Sequence, residues 1–504
     1  MPKTLTTTGT PGTPETPGAS TPTGTRPRQG IAFALCLATI VLAVLDMQIV
    51  SAATVPIVRD LDPAHGVDKI PWLVSAYALA GAAMLPLYGK LCDVLGAKRV
   101  FVAAVTVFLI GSALCGLAQS MGQLIAARAV QGIGGGGLMS ITMVVLAQLK
   151  GPGGKSSRAG GFGGIVAGGG MALGPWIGGL LADHASWRWI FYVNLPIGVA
   201  VLVAAAFVLK LPREPAARRA IDYPGAALAA AFSVALLLVT DWGGKEYAWT
   251  SPVVLSLLAT VAAALALFVW RQSTAAEPVL PLSLFRVPEL RRSFAIQGLT
   301  GAAMMCVIYY VLVYLQVARG LSSSSAGLYL LPMAAGMTAV GLLSGRLAAR
   351  GWSARTFTIG GTVTTAAAFG LLATVGPDTS LWLIRAGLLL AGAGFGQLVG
   401  QLIQLAQDAA PRHQLGVATT AVRFFQTLGN AVGTALFGAI LLRLYAADGP
   451  GGDVSAIPGL TGSAHAAAVR AYVDATDVVF LCGAGIMLLG TVLALRLPRP
   501  PRRP

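Results

Sequence analysis

The chain has 504 residues, 55% of them hydrophobic and 11% charged, with a mean hydropathy of +0.74. Soluble domains carry about 25% charged residues, so the composition excludes a soluble globular protein and points to a polytopic membrane protein. The net charge of +16 would suggest nucleic acid in a soluble chain; here Arg and Lys sit in short loops between apolar runs, where they orient the chain in a membrane rather than bind a polyanion.

Residues 1–29 are rich in Thr, Pro and Gly and read as a disordered cytoplasmic tail. They do not read as a signal peptide, because no small-residue cleavage site follows a short apolar core. Fourteen apolar runs follow, near 31–55, 70–88, 100–118, 124–148, 160–182, 189–209, 223–240, 252–270, 294–315, 326–345, 356–375, 381–406, 414–442 and 478–495. Each matches the roughly 20 residues that a ~30 Å hydrocarbon core requires. With both termini in the cytoplasm, the basic loops all fall on the inside, as the positive-inside rule demands. The short basic loop Gly89-Lys90-Leu91-Cys92-Asp93 is echoed by Gly345-Arg346-Leu347. The echo divides the chain into an N-terminal six-helix bundle (30–210), an inserted helix pair (211–275), a C-terminal six-helix bundle (276–498) and a basic cytoplasmic tail (499–504). Parallel repeats of this kind are a transporter architecture. Pro281 to Arg292 is amphipathic and is expected on the membrane surface.

Taken in chain order, the chemistry begins with Asp46, an acid in the middle of the first run. A carboxylate at a helix centre costs roughly 2.5–3.5 kcal/mol on insertion scales. It should therefore face the bundle interior or a water-filled cavity, as a proton carrier or as a hydrogen-bonding partner of a neighbouring helix. The loop Gly89 to Arg99 follows, with Gly89 and Gly96 for a sharp turn, Lys98 and Arg99 as basic anchors, and Asp93 placed to meet a helix N-terminus. On the fourth run Arg128 and Gln131 are three apart and share a face. An embedded guanidinium needs an acceptor: a carboxylate whose proton affinity it tunes, or backbone carbonyls that it clamps.

The fifth run carries Gly170-Met171-Ala172-Leu173-Gly174-Pro175-Trp176-Ile177-Gly178-Gly179. It is too apolar for a loop, and its small residues allow close backbone packing between spans. Trp187 to Gly198 opens the sixth run and reads as interfacial and structural. In the second half, Gln397, Gln401 and Gln404 share one helical face, and so do Arg423, Gln426 and Asn430. With Gln48, Tyr309, Tyr310 and Tyr314 they either line a cavity for an amphipathic solute or hydrogen-bond between helices.

These stretches resemble the fourteen-span drug:proton antiporter family of the major facilitator superfamily. Leu45 to Pro56 is similar to its LDxTIVNVALP pattern, departing at Gln48, Ser51 and Thr54. Gly89 to Arg99 is similar to its GxLxDRxGRRR loop, with Val94 and Ala97 at positions usually basic. Arg128-Ala129-Val130-Gln131-Gly132 matches its RxxQG motif, and Gly170 to Gly179 its antiporter signature. Trp187 to Gly198 resembles WRWIFxINxPIG, and Phe424 to Gly429 resembles FFRQLGG. The resemblance implies an all-α major facilitator fold of two six-helix bundles plus two inserted helices. It also implies proton coupling through Asp46 and Arg128, and conformational roles for Gly89, Asp93, Gly96, Lys98, Arg99, Gln131, Gly132, Gly170, Gly174, Pro175, Gly178 and Gly179. The expected partners are protons, membrane lipids and a small amphipathic organic compound, exported by a monomer in the bacterial plasma membrane. A dedicated natural-product exporter and a lipid translocase of the same fold stay open as alternatives. No nucleotide loop, HExxH or Cys/His cluster occurs. The five cysteines are dispersed without a CxxC. Neither an enzyme nor a cofactor, metal or nucleic-acid partner is expected.

Overall fold

The computed structural model describes residues 26–63, 69–149, 177–178, 180–181, 184–209, 220–244, 246–448 and 454–498. Within them the chain is helical. The first half contains α1 (Arg26–Ala52), α2 (Thr54–Leu61), α3 (Ile70–Leu95), α4 (Ala97–Leu117), α5 (Met121–Leu149), α6 (Trp189–Tyr192) and α7 (Asn194–Val208). The inserted pair is α8 (Tyr223–Trp242) and α9 (Pro252–Thr274). A 3-10 turn (Leu282–Arg286) leads into α10 (Pro288–Val317), α11 (Ser323–Leu328), α12 (Leu331–Ala349), α13 (Ala354–Leu372), α14 (Leu381–Ala409), α15 (Leu415–Asp448) and α16 (Gly462–Leu495). Among the described residues, eleven helices are long and apolar enough to cross a membrane. Most of the antiporter-like stretch, including Gly170, Gly174, Pro175 and Gly179, lies outside the described residues; Gly178 is helical and buried.

Small residues set the helix spacing. A Cβ on Gly81 of α3 would stand 2.9 Å from the Gly136 Cα of α5, and one on Gly132 would overlap the Tyr77 backbone. The two helices therefore touch main chain to main chain, the arrangement that polyglycine spans permit. The turns from α3 to α4 and from α12 to α13 each use a glycine, although the first is a single residue and the second is longer. Gly96 (φ +89°) and Gly351 (φ +100°) each take a left-handed conformation that an L side chain resists.

The halves meet along α15, which packs on α3, α5 and α8. At one end a single buried cluster joins them: Phe101, Val144 and Leu146 from the first half with Phe294, Ile403, Val417 and Val422 from the second. At the other end the clusters are separate, Ile49, Ile57, Leu73 and Phe191 in one and Tyr314, Leu315 and Tyr445 in the other. The closed end is the one that carries the Gly89–Arg99 loop. The inserted pair sits at the same seam: Phe232 of α8 and Ala264 of α9 cluster with Leu85 of α3 and Phe424 of α15. Part of Pro281 to Arg292 packs on the helices beside it. Leu284 is buried in the joining cluster, and Phe285 packs edge-on to Phe294 and Phe425. Leu282 of the same stretch is 39% exposed.

Candidate functional site

Asp46 is fully buried inside the first half, where five helices converge on it. Arg128 of α5 donates from Nη1 to Asp46 Oδ2 at 3.0 Å. Gln131, one turn on, donates from Nε2 to Asp46 Oδ1 at 2.7 Å. Asn194 of α7 donates to the same oxygen at 2.6 Å. Ser112 Oγ of α4 accepts from Gln131 at 2.7 Å and from Asn194 at 3.0 Å. The Gln131 carbonyl oxygen accepts from Arg128 Nη1 at 2.7 Å and from the Cys115 thiol at 3.5 Å. Arg128 Nε donates to the Leu73 carbonyl of α3 at 3.0 Å, and its guanidinium lies 4.4 Å above the Tyr77 ring. Every neighbour given to the carboxylate is a donor. A buried ion pair is stable only with such saturation, because each lone pair left bare in a low dielectric is costly.

The RxxQG spacing explains half of this arrangement. Three residues of helix put Arg128 and Gln131 on one face, and Gly132 lets α5 approach α3 closely enough for Arg128 to reach the Leu73 carbonyl. The alternatives for Arg128, carboxylate partner or carbonyl clamp, are both realised in one side chain. Asn194 was expected to be only part of an interfacial structural segment, and here the structure differs. Trp187 is buried and Arg188 half-buried, and both donate to the exposed Asp60, at 3.0 and 2.6 Å. Asn194, two turns on, turns inward to the acid. An amide inside an otherwise apolar run was the available signal. Ser112 carried none.

The second group lies at the closed end. Asp93 ends α3 rather than starting the next helix, and it caps a helix of the other half. Gly416 N donates to Oδ1 at 2.6 Å and Val417 N to Oδ2 at 2.9 Å, at the start of α15. Gly89 and Gly416 make this possible, since a side chain on either would run into the opposing backbone. Lys90 is buried and pairs with Glu277, just past α9, at 2.6 Å. Lys98 donates to the Ala206 carbonyl of α7 at 3.0 Å, and Arg99 is exposed. A cavity of about 510 Å³ opens beside this junction, lined by Lys90, Asp93, Glu277, Arg286 and His413 among others.

The second-half residues do not form one cluster. Arg423 donates to Gln426 at 2.6 Å. Asn430, with its amide turned to suit its neighbours, donates to the Gly301 carbonyl at 2.9 Å. Tyr310 is buried against Phe437, and Tyr314 donates to the Gly376 carbonyl at 2.9 Å, so both are engaged in packing. Tyr309 is 40% exposed. Gln397 bonds within its own helix, while the Gln401 amide is buried with neither end partnered. Gln48 lies in α1, and its side chain is outside the described set.

The Major Facilitator Superfamily profile matches residues 35–434. The chain is 36% identical over 487 residues to an uncharacterized MFS-type transporter of Mycobacterium tuberculosis, covering 94% of this chain and 70% of that one. It is 33% identical to the multidrug transporter protein MdtP of Bacillus subtilis, over 79% of this chain and 72% of the relative. Among solved structures, that of the human organic anion transporter MFSD10 superposes with a TM-score of 0.64 at 16% identity, covering 92% of this chain and 99% of that one, a likeness of fold. An all-helical chain with a charged network inside one bundle, paired glycine turns and these relatives is a multi-pass membrane transporter belonging to the Major Facilitator Superfamily.

Proposed function

We propose that the protein is a proton-coupled antiporter that exports amphipathic organic compounds across the bacterial plasma membrane, with fourteen spans and both termini in the cytoplasm. The observation that carries this reading is the Asp46–Arg128–Gln131–Asn194 network, a titratable group on α1 sealed inside a bundle by three donors from α5 and α7. The relatives named for multidrug transport support export of organic solutes. In this reading the carboxylate holds Arg128 and both amides while ionised. A proton arriving at Asp46 turns one of its two oxygens into a hydroxyl that itself donates, so at least one of the three donors facing the carboxylate must let go. That release lets α1, α5 and α7 shift against one another and so links protonation to the opening of the bundle. The capped α15 N-terminus then holds the cytoplasmic end shut until the substrate side is emptied. An inward proton gradient supplies the energy, about 2.3 kcal/mol per charge for each 100 mV of potential.

The test is transport by the purified protein in proteoliposomes under an imposed pH gradient. Asp46→Asn should abolish gradient-driven accumulation while leaving substrate binding in detergent largely intact. Wild-type transport by that variant would remove Asp46 from the coupling mechanism.

A further inference from the structure

The charges inside the described membrane helices do not balance locally. Asp46 is spent on Arg128. Arg385, near the start of α14, stacks on Tyr329 and Trp382 at 4.8 and 4.6 Å. Asp477 lies beside Tyr314, in the part of the second half far from the closed end. Arg423 has no such answer. Among the described residues its acceptor is the neutral Gln426 amide, and no carboxylate stands within ion-pair distance. The fifth apolar run cannot supply one either, since residues 160–182 contain no Asp or Glu.

The position of Arg423 says what it faces. Arg423, Thr427, Asn430 and Thr434 recur at i, i+4, i+7 and i+11, one stripe of α15. All four are half-buried. Val432 and Leu436, 50% and 47% exposed, point the opposite way, toward lipid. On the flanks of the stripe, Gly429 and Gly433 touch α10, and Phe424 packs into the cluster with Leu85 of α3. The stripe therefore faces the gap between the halves. Arg423 lies seven residues beyond Gly416, about 10 Å along the helix, at the floor of that gap just above the closed end.

A guanidinium so placed is a costly group in hydrocarbon and a strong one for a ligand. Its planar fork suits carboxylate or phenolate oxygens in particular. Building on the export reading above, we infer that Arg423 is the anion-recognition point of the transport path, and that the substrates are amphipathic organic anions rather than lipophilic cations. Gln426 holds the guanidinium in place from one side and leaves its remaining N–H groups for the ligand. Asn430 is committed to Gly301 and lends no competing donor. A cationic solute meets a like charge at this floor with no acid beside it to relieve the repulsion.

Two xanthene dyes of similar size and opposite charge test this: fluorescein as the anion and tetramethylrhodamine methyl ester as the cation. Transport of each is measured in proteoliposomes of the full-length protein, alongside thermal unfolding of every variant to confirm that it is folded. The wild type should move fluorescein and discriminate against the rhodamine. Arg423→Gln should lose about 10–100-fold of fluorescein transport, the value of a charge-assisted hydrogen bond, and Arg423→Lys should retain part of it. Arg423→Glu should reverse the preference toward the cation. Preference of the wild type for the cation, transport of neither dye, or an Arg423→Gln variant with undiminished fluorescein transport overturns the assignment. Asp46→Asn in the same vesicles reports separately on coupling. If it leaves fluorescein transport unchanged while Arg423→Gln abolishes it, proton coupling falls and the anion assignment stands.

Discussion

The Gln131 amide shows how tightly the buried acid is held. Both its hydrogens and its oxygen are committed, to Asp46, Ser112, Arg128 and Cys115. Removing Arg128 leaves a buried carboxylate without its counter-ion, a loss of about 3–5 kcal/mol for such a pair. Arg128→Ala should therefore unfold at markedly lower temperature in detergent. Asp46→Asn/Arg128→Gln replaces the pair with neutral amides and should recover most of that stability without recovering transport. If the double variant is as unstable as Arg128→Ala, the network is held by something other than charge pairing. Asn194→Ala removes one donor from the carboxylate and should cost about 1–3 kcal/mol, read from the same unfolding curves. Asp46, Arg128 and Gln131 were legible because a charge inside an apolar run has few innocent explanations. Asn194 was hidden by its neighbours: Trp187 and Arg188 mark an interface so clearly that the amide after them read as part of it.

Helices make the next level of prediction. Asp93 accepts from two backbone N–H groups of α15, a cap worth about 1–2 kcal/mol. Asp93→Ala should open the closed end by roughly the tenfold that such an energy buys. Alkylation of Thr420→Cys, in a background stripped of native cysteines, should then speed up by about that factor; an unchanged rate would show that the cap does not hold the seam. The sequence announced that Asp93 would meet a helix N-terminus, and nothing local could say that the N–H it meets, that of Gly416, lies 323 residues later. At the exposed edge the clamp on Asp60 has a pH signature. Hydrogen bonds from Arg188, then Trp187, hold its carboxyl below the ordinary carboxylate range. Its contribution is present above the usual Asp value of about 3.9 and is lost as pH falls through its lowered one. Stability differences between wild type and Asp60→Asn should be constant at neutral pH and vanish only in strong acid. Persistence of the difference at the lowest pH would place the role of Asp60 in packing instead.

At the scale of the molecule, a glycine in each short basic turn was readable because a left-handed φ there suits glycine, Gly96 in one turn and Gly351 in the other. Their asymmetry was readable too: Asp93 has no acidic counterpart in the loop Gly345 to Gly351. What the sequence could not convey is where the inserted pair docks, because apolar helices pack by shape and their patterns do not name partners. The docking has a consequence. Glu277 ties the segment just past α9 to Lys90 near the end of α3, while α9 itself presents Leu255, Leu258, Leu265, Leu267 and Trp270 outward. The described span that is least buried against protein is thus joined by one ion pair to the end of α3, where the two halves meet. A bilayer thicker or thinner than this helix prefers tilts it, at a fraction of a kcal/mol per Å, and the tilt is felt at Lys90. Transport should therefore vary with acyl-chain length in reconstituted membranes, and Glu277→Gln should flatten that dependence; an unchanged dependence would show that this ion pair does not pass membrane thickness on to the transporter.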